Sequence, residues 1–150
     1  MFETIVWATD GSPLADRALP LVTELAELHG SKVVAVHANE VLPGRFGGQP
    51  MLADEVDLAS KIAGQVAELR ESGVNAELEV RTGVRGVAEL ISDASQDVGA
   101  DLIVISTHGR GASTAALLGS VTRRLLHAAE CPVLVVTPSH DRQRAGVAAV

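Results

Sequence analysis

Two apolar runs, Val33-Val34-Ala35-Val36 and Leu102-Ile103-Val104-Ile105, constrain this chain more than any other feature. Neither alternates with polar residues, so neither fits a strand with one face in water. Unbroken β-branched runs of this length are the mark of strands covered on both faces, as in a parallel sheet between two helical layers. Three further short runs complete a set of five strands, read over 4–9, 32–38, 75–80, 101–107 and 132–137. Helical spacings lie between them. Ser12 and Pro13 form a cap and first-turn pair that opens a first helix; Pro20 is expected to kink or break it, and Gly30 to end it. A second helix is read over about 54–72, with Val56, Ile62, Val66 and Leu69 as its buried stripe. A third covers about 87–98 on Val87, Leu90, Ile91 and Ala94. A fourth covers about 121–129, with Ser120 as its cap. This alternation predicts a single α/β domain over 1–138, an open parallel sheet with helices on both faces, and a solvated tail over 139–150. Residues 40–52 read as a Pro/Gly-rich loop just past a strand end.

Composition excludes several classes. No apolar run reaches the roughly 20 residues a membrane helix needs. No basic region precedes a long apolar run, so a secretory signal is not expected. The lone cysteine, Cys131, rules out an internal disulfide and a cysteine-based zinc site, which points to a reduced cytoplasm; it reads as a buried small hydrophobe. The net charge of −7 argues against general nucleic-acid binding. Charge is also uneven: residues 1–101 carry 7 Lys+Arg against 17 Asp+Glu, whereas residues 102–150 carry five arginines against Glu130 and Asp141.

Ligands of open α/β sheets bind beyond the carboxyl ends of the strands, where strand order reverses. Three such ends carry suitable groups: Ala8-Thr9-Asp10-Gly11-Ser12, His37-Ala38-Asn39 and Ser106-Thr107-His108-Gly109. The P-loop lysine, the dinucleotide GxGxxG turn and the GxSxG elbow are all absent. The five histidines are scattered and read as structural or solvated. Trp7, inside a strand, reads as core. Asp10 has two readings, a turn residue that bonds its own backbone or a ligand contact. From 106 to 124 the chain leaves a strand, crosses a loop with Gly109 and Gly111, and enters a helix at Gly119-Ser120. Free N–H groups and the positive dipole end make such a helix start an anion site. With Ser120 as cap, Arg123 and Arg124 fall in the first turn, unfavourable against the dipole unless a polyphosphate sits there.

The spacing Ser106-x2-Gly109-x9-Gly119-Ser120 resembles the Gly-x2-Gly-x9-Gly-Ser/Thr motif of the ATP-binding branch of the universal stress protein family. Ile5 to Ser12, Gly83, Leu117 to Val121 and Cys131 to Val136 resemble the same family. The resemblance implies a five-stranded parallel sheet of order 3-2-1-4-5 and a homodimer through the last strand. It further implies ATP, or another adenine nucleotide, with Mg²⁺ as ligand. Ala8, Thr9 and Asp10 would end the strand at the ligand, with Thr9 and Asp10 near the ribose and the bound metal and Ala38 beside the adenine. Gly109 and Arg110 would approach the phosphates, and Gly119, Ser120, Val121 and Thr122 would wrap them. Ser106 replaces the motif's first glycine: costly if that position needs positive φ, yet small, with a hydroxyl free to donate to a ligand. The function implied is a cytoplasmic, nucleotide-dependent stress sensor acting on a regulatory partner. A slow ATPase or phosphotransferase, for which His108 and Asp10 are the available groups, and a scaffold without nucleotide are the alternatives.

Overall fold

The structure is a computed structural model that describes residues 1–41, 53–108 and 118–137. Its elements run β1 (Thr4–Ala8), α1 (Pro13–Asp16), α2 (Leu19–His29), β2 (Lys32–Glu40), α3 (Ala53–Glu71), β3 (Ala76–Gly83), α4 (Val87–Asp97), β4 (Leu102–Ser106), α5 (Ser120–Ala128) and β5 (Val133–Val136). The five strands form one sheet of order β3-β2-β1-β4-β5, every neighbouring pair parallel. β1 is central: it pairs with β2 from Thr4↔Lys32 to Ala8↔Val36 and with β4 from Ile5↔Leu102 to Ala8↔Ile105. Strand order therefore reverses between β1 and β4, and the crevice beyond their carboxyl ends is the switch point.

Alternate residues of each strand face opposite helical layers. Ile5, Trp7, Val33, Ala35 and Val104 pack with Ala18 and Val22 of the α1–α2 segment and with Ile62, Val66 and Leu69 of α3. Val6, Val34, Val36, Ile103 and Ile105 pack with Ala88, Ile91 and Ala94 of α4 and Leu125 of α5. Trp7 is a core residue, as its strand position predicts. The apolar runs are buried on both sides because helices cover both sides.

The first helical pattern divides into α1 and α2. Pro20 sits in the first turn of α2; without an N–H it cannot bond the Asp16 carbonyl, and its ring crowds that carbonyl, so the break falls before it. Ser12 caps α1 by accepting from the Ala15 N–H at 3.2 Å. Gly30, in the left-handed region at φ 68°, ends α2.

Three expectations are corrected. Val56 is 49% exposed. Six residues before Ile62 it lies off the buried stripe, and Glu55, seven residues before Ile62, takes the in-phase position. α5 begins one residue earlier than its cap pattern predicts: Gly119 is the N-cap and Ser120 the first helical residue. The cause is a bond from the Gly119 N–H to the Thr107 carbonyl at 2.7 Å, which cinches the helix start to the end of β4. Cys131 is half-buried rather than buried, packed beside the α4–α5 layer, and burial pushes its thiol pKa up. Of the loop expected over 40–52, Glu40 ends β2 and residues 42–52 lie outside the described residues, as do Gly109, Arg110 and Gly111 and the tail over 139–150.

Candidate functional site

A cavity of about 240 Å³ opens at the switch point. Its floor is the carboxyl end of β1 and β4: Ala8, Thr9 and Asp10 from one, Ile105 and Ser106 from the other. Ala38 of β2 and Ala15 of α1 close one side, and Val87 and Ile91 of α4 give an apolar wall. The opposite wall is Gly119, Ser120, Val121 and Thr122 at the start of α5, with His108 beside it. Of the residues expected at the site, nine therefore border one cavity; Gly109 and Arg110 are outside the described residues. Ala15, Val87, Ile91 and Ile105 join them without any signal beyond helix or strand periodicity.

The β1–α1 turn is held by its own backbone. The Gly11 N–H donates to Thr9 Oγ1 at 3.1 Å, and the Ser12 N–H donates to Asp10 Oδ1 at 2.9 Å. Gly11 takes φ 75°, the left-handed region, and a Cβ there would come within 2.7 Å of Leu58 Cδ2. Asp10 is thus both a turn residue and a cavity residue. Beneath the turn, His37 is fully buried, with Nδ1 3.0 Å from the Thr9 carbonyl and Nε2 3.1 Å from Glu55 Oε2.

On the other side the hydroxyls serve the frame. Thr122, at the third position of α5, donates to the Ser106 carbonyl at 2.9 Å, and Ser106 Oγ donates to the His108 carbonyl at 2.7 Å. The Ser106 hydroxyl, expected to be free for a ligand, is spent inside the loop. No non-glycine among the described residues has a positive φ, so serine at 106 carries no backbone strain. His108 Nε2 is buried at the cavity with no hydrogen-bond partner among the described residues.

The start of α5 has no side-chain cap, and its first residues, Gly119 to Thr122, line the cavity. The start of α4 differs. There Glu89, three residues past the N-cap Gly86, puts a negative charge in the first turn, which the dipole favours, with Oε2 buried beside Gly86 and without a hydrogen-bond partner among the described residues. The arginine argument changes accordingly. With Gly119 as cap, Arg123 and Arg124 stand in the second turn, and Arg124 Nη1 reaches to 3.4 Å from where a Gly86 Cβ would lie. Arg124 lies beside the start of α4 and is not among the residues lining the cavity.

Among the described residues no group of three or more His, Cys, Asp or Glu could hold a metal ion, and no helix is long and apolar enough to cross a membrane. Among the described residues that border the cavity, Asp10 is the one carboxylate. A Mg²⁺ that travels on nucleotide phosphates needs no protein cage, so the lining is compatible with it.

Fold and cavity together define a doubly wound α/β domain with a ligand crevice at its switch point. The chain belongs to the universal stress protein family, whose model matches residues 1–137. It is 36% identical over 139 residues to a universal stress protein of Thermus aquaticus, covering 91% of this chain and 99% of that one. It is 33% identical to a Mycobacterium tuberculosis universal stress protein, of which it spans 44%. A universal stress protein from Archaeoglobus fulgidus superposes with TM-score 0.71 at 29% identity, over 90% of this chain and 93% of that one. One from Archaeoglobus fulgidus in complex with dAMP superposes with TM-score 0.67 at 29% identity, over 90% and 97%.

Proposed function

We propose that this chain binds ATP with its Mg²⁺ in the switch-point cavity and acts as a nucleotide-dependent regulator in the cytoplasm. One observation carries the reading: the start of α5, Gly119 to Thr122, lines the cavity and has no side-chain cap. The helix dipole and free N–H groups suit an anionic phosphate chain. The apolar wall of Ala38, Val87 and Ile91 suits a base. That a relative binds dAMP supports an adenine nucleotide. In this reading Thr9 and Asp10 lie toward the ribose, and Gly119 to Thr122 toward the phosphates. Nucleotide shifts the population of the site's conformers and so alters a surface read by a partner protein. The edge strand β5, whose Val133, Leu134 and Val135 are half-buried in the single chain, is the surface for a second copy.

Small molecules released from freshly purified protein should include an adenine nucleotide, and calorimetry with MgATP should give saturable heat. No bound nucleotide and no heat at millimolar MgATP would overturn the reading in favour of a scaffold.

A further inference from the structure

Three consecutive carbonyls at the end of β4 are each taken by a donor of the chain itself. The Ser106 carbonyl accepts from Thr122 Oγ1 at 2.9 Å, the Thr107 carbonyl from the Gly119 N–H at 2.7 Å and the His108 carbonyl from Ser106 Oγ at 2.7 Å. The first two bonds join the strand end to the start of α5 and are nested, 106 with 122 outside 107 with 119. Thr122 differs here from Thr23 and Ser95, whose hydroxyls bond the carbonyl four residues back in the chain, Leu19 and Ile91. For Thr122, the third residue of α5, the carbonyl four residues back lies ahead of the helix, and the hydroxyl reaches across to β4 instead. The residue is 2% exposed, and Oγ1 also lies 3.4 Å from the Thr107 carbonyl.

We infer that Thr122 is a positioning residue for the phosphate side of the cavity: its hydroxyl latches the start of α5 to the end of β4 and is not itself a phosphate ligand. The binding half of this statement rests on the nucleotide reading above; the latch does not. A threonine hydroxyl has one proton. That proton goes to the Ser106 carbonyl, so Oγ1 has only lone pairs left, and these cannot hold an ionised phosphate oxygen. What Thr122 sets is the place of the helix start. The backbone bond from Gly119 fixes one point of it. A second bond, three residues on and to the preceding carbonyl of the strand, fixes its direction. Ser120, Val121 and Thr122, whose N–H groups have no intrahelical partner at a helix start, then stand in a fixed relation to the β1 end across the cavity.

Thr122→Val removes the hydroxyl and keeps the size and branching of the side chain. The Ser106 carbonyl then loses this donor at a buried position, and the start of α5 relaxes from β4 about the remaining Gly119 bond. A ligand that needs the phosphate geometry binds only the fraction of molecules that hold it, so its apparent affinity falls by that fraction. The base and its sugar meet Ala38, Val87 and Ile91 and the β1 end, none of which this bond holds. A merely structural role would act on the whole cavity alike. Comparing MgATP with adenosine, which has no phosphate, therefore separates positioning from stability. Thr122→Ser keeps the hydroxyl and loses only the methyl group, so it restores what the hydroxyl does and not what the methyl packs.

The experiment titrates MgATP and adenosine into the intact wild type, Thr122→Val and Thr122→Ser, beside hydrogen exchange of the Gly119 amide in the free proteins. Thr122→Val should lose about tenfold in MgATP affinity, the size of one buried hydrogen bond, and keep its adenosine affinity within about twofold. Thr122→Ser should stay within about threefold of the wild type for both ligands. The Gly119 amide, bonded beside the latch, should exchange at least about tenfold faster in Thr122→Val than in the other two proteins. Unchanged MgATP affinity in Thr122→Val, an equal loss for MgATP and adenosine, or a Thr122→Ser that fares no better than Thr122→Val each overturn the positioning role. A wild type that binds neither ligand overturns the nucleotide reading instead, and Gly119 exchange then decides the latch alone: equal rates in all three proteins overturn it.

Discussion

Gly119 and Ser120 are adjacent and answer to different forces. A Cβ on Gly119 would meet the Thr107 carbonyl at 2.9 Å, a backbone atom that the Gly119 N–H itself bonds. Gly119→Val would spread β4 from α5 and weaken the fold along with the site, so its loss of binding would not report on phosphate. Ser120 separates the two effects. It is exposed, it stands at the first helical position and it borders the cavity. Aspartate there places a negative charge on the positive end of the helix, which stabilises the free protein by about 0.3–1 kcal/mol. The same charge repels a phosphate chain. Ser120→Asp should therefore melt at or slightly above the wild-type temperature while losing MgATP binding, read by thermal denaturation and calorimetry on one sample. Retained affinity would remove the phosphates from the α5 start. Ser120 was legible as a site residue because the glycine spacing led to it. Its place in the helix was not, because the cap is chosen by a bond from Gly119 to the Thr107 carbonyl, twelve residues back and just past β4. Arg124 was misread for the same reason: its neighbour Gly86 is 38 residues away in sequence.

The strands begin as firmly as they end. Asp101, just before β4, accepts from the Glu3 and Thr4 N–H groups at 2.7 and 2.9 Å and so fastens the start of β1 to the start of β4. These backbone bonds hold its carboxyl below the ordinary carboxylate pKa. A carboxyl lowered on folding stabilises the native state fully above its unfolded pKa, and that contribution is lost as pH falls through the folded value. Acid titration of stability should thus show a step at the low end of the carboxylate range that Asp101→Asn removes, measured by urea midpoints at successive pH values. A step of the same size in Asp101→Asn would assign it to another carboxylate. Elements were the best-read level of this chain. The five runs, the break at Pro20 and the left-handed Gly30 follow from local chemistry. α3 was read in extent but not in phase, because Val56 is apolar and Glu55 is not. The buried partner that makes a glutamate belong there, His37, lies on a different strand.

A sheet between two layers makes a demand that no single element makes. Val33 and Val34 are neighbours on β2 and both are fully buried, but they belong to opposite cores, Val33 with Ile62 and Val66, Val34 with Ile91 and Leu125. In a sheet with one wet face, truncating one of them would cost little. Here each loses about two methyl groups' worth of burial, so Val33→Ala and Val34→Ala should each destabilise by about 2 kcal/mol. The costs should also be felt everywhere at once. Trp7, the only tryptophan, lies in the Val33 core, whereas helix content reports on both layers. If the two cores unfold as one unit through the shared central strand, tryptophan fluorescence and far-ultraviolet circular dichroism should give coincident urea transitions for both variants. Val34→Ala would then shift the fluorescence midpoint as far as Val33→Ala does, although its lost contacts are on the other face of the sheet. A fluorescence midpoint that ignores Val34→Ala would mean that the α4–α5 layer melts on its own. The cavity would then have one wall, carrying the α5 start, that can detach without unfolding the other.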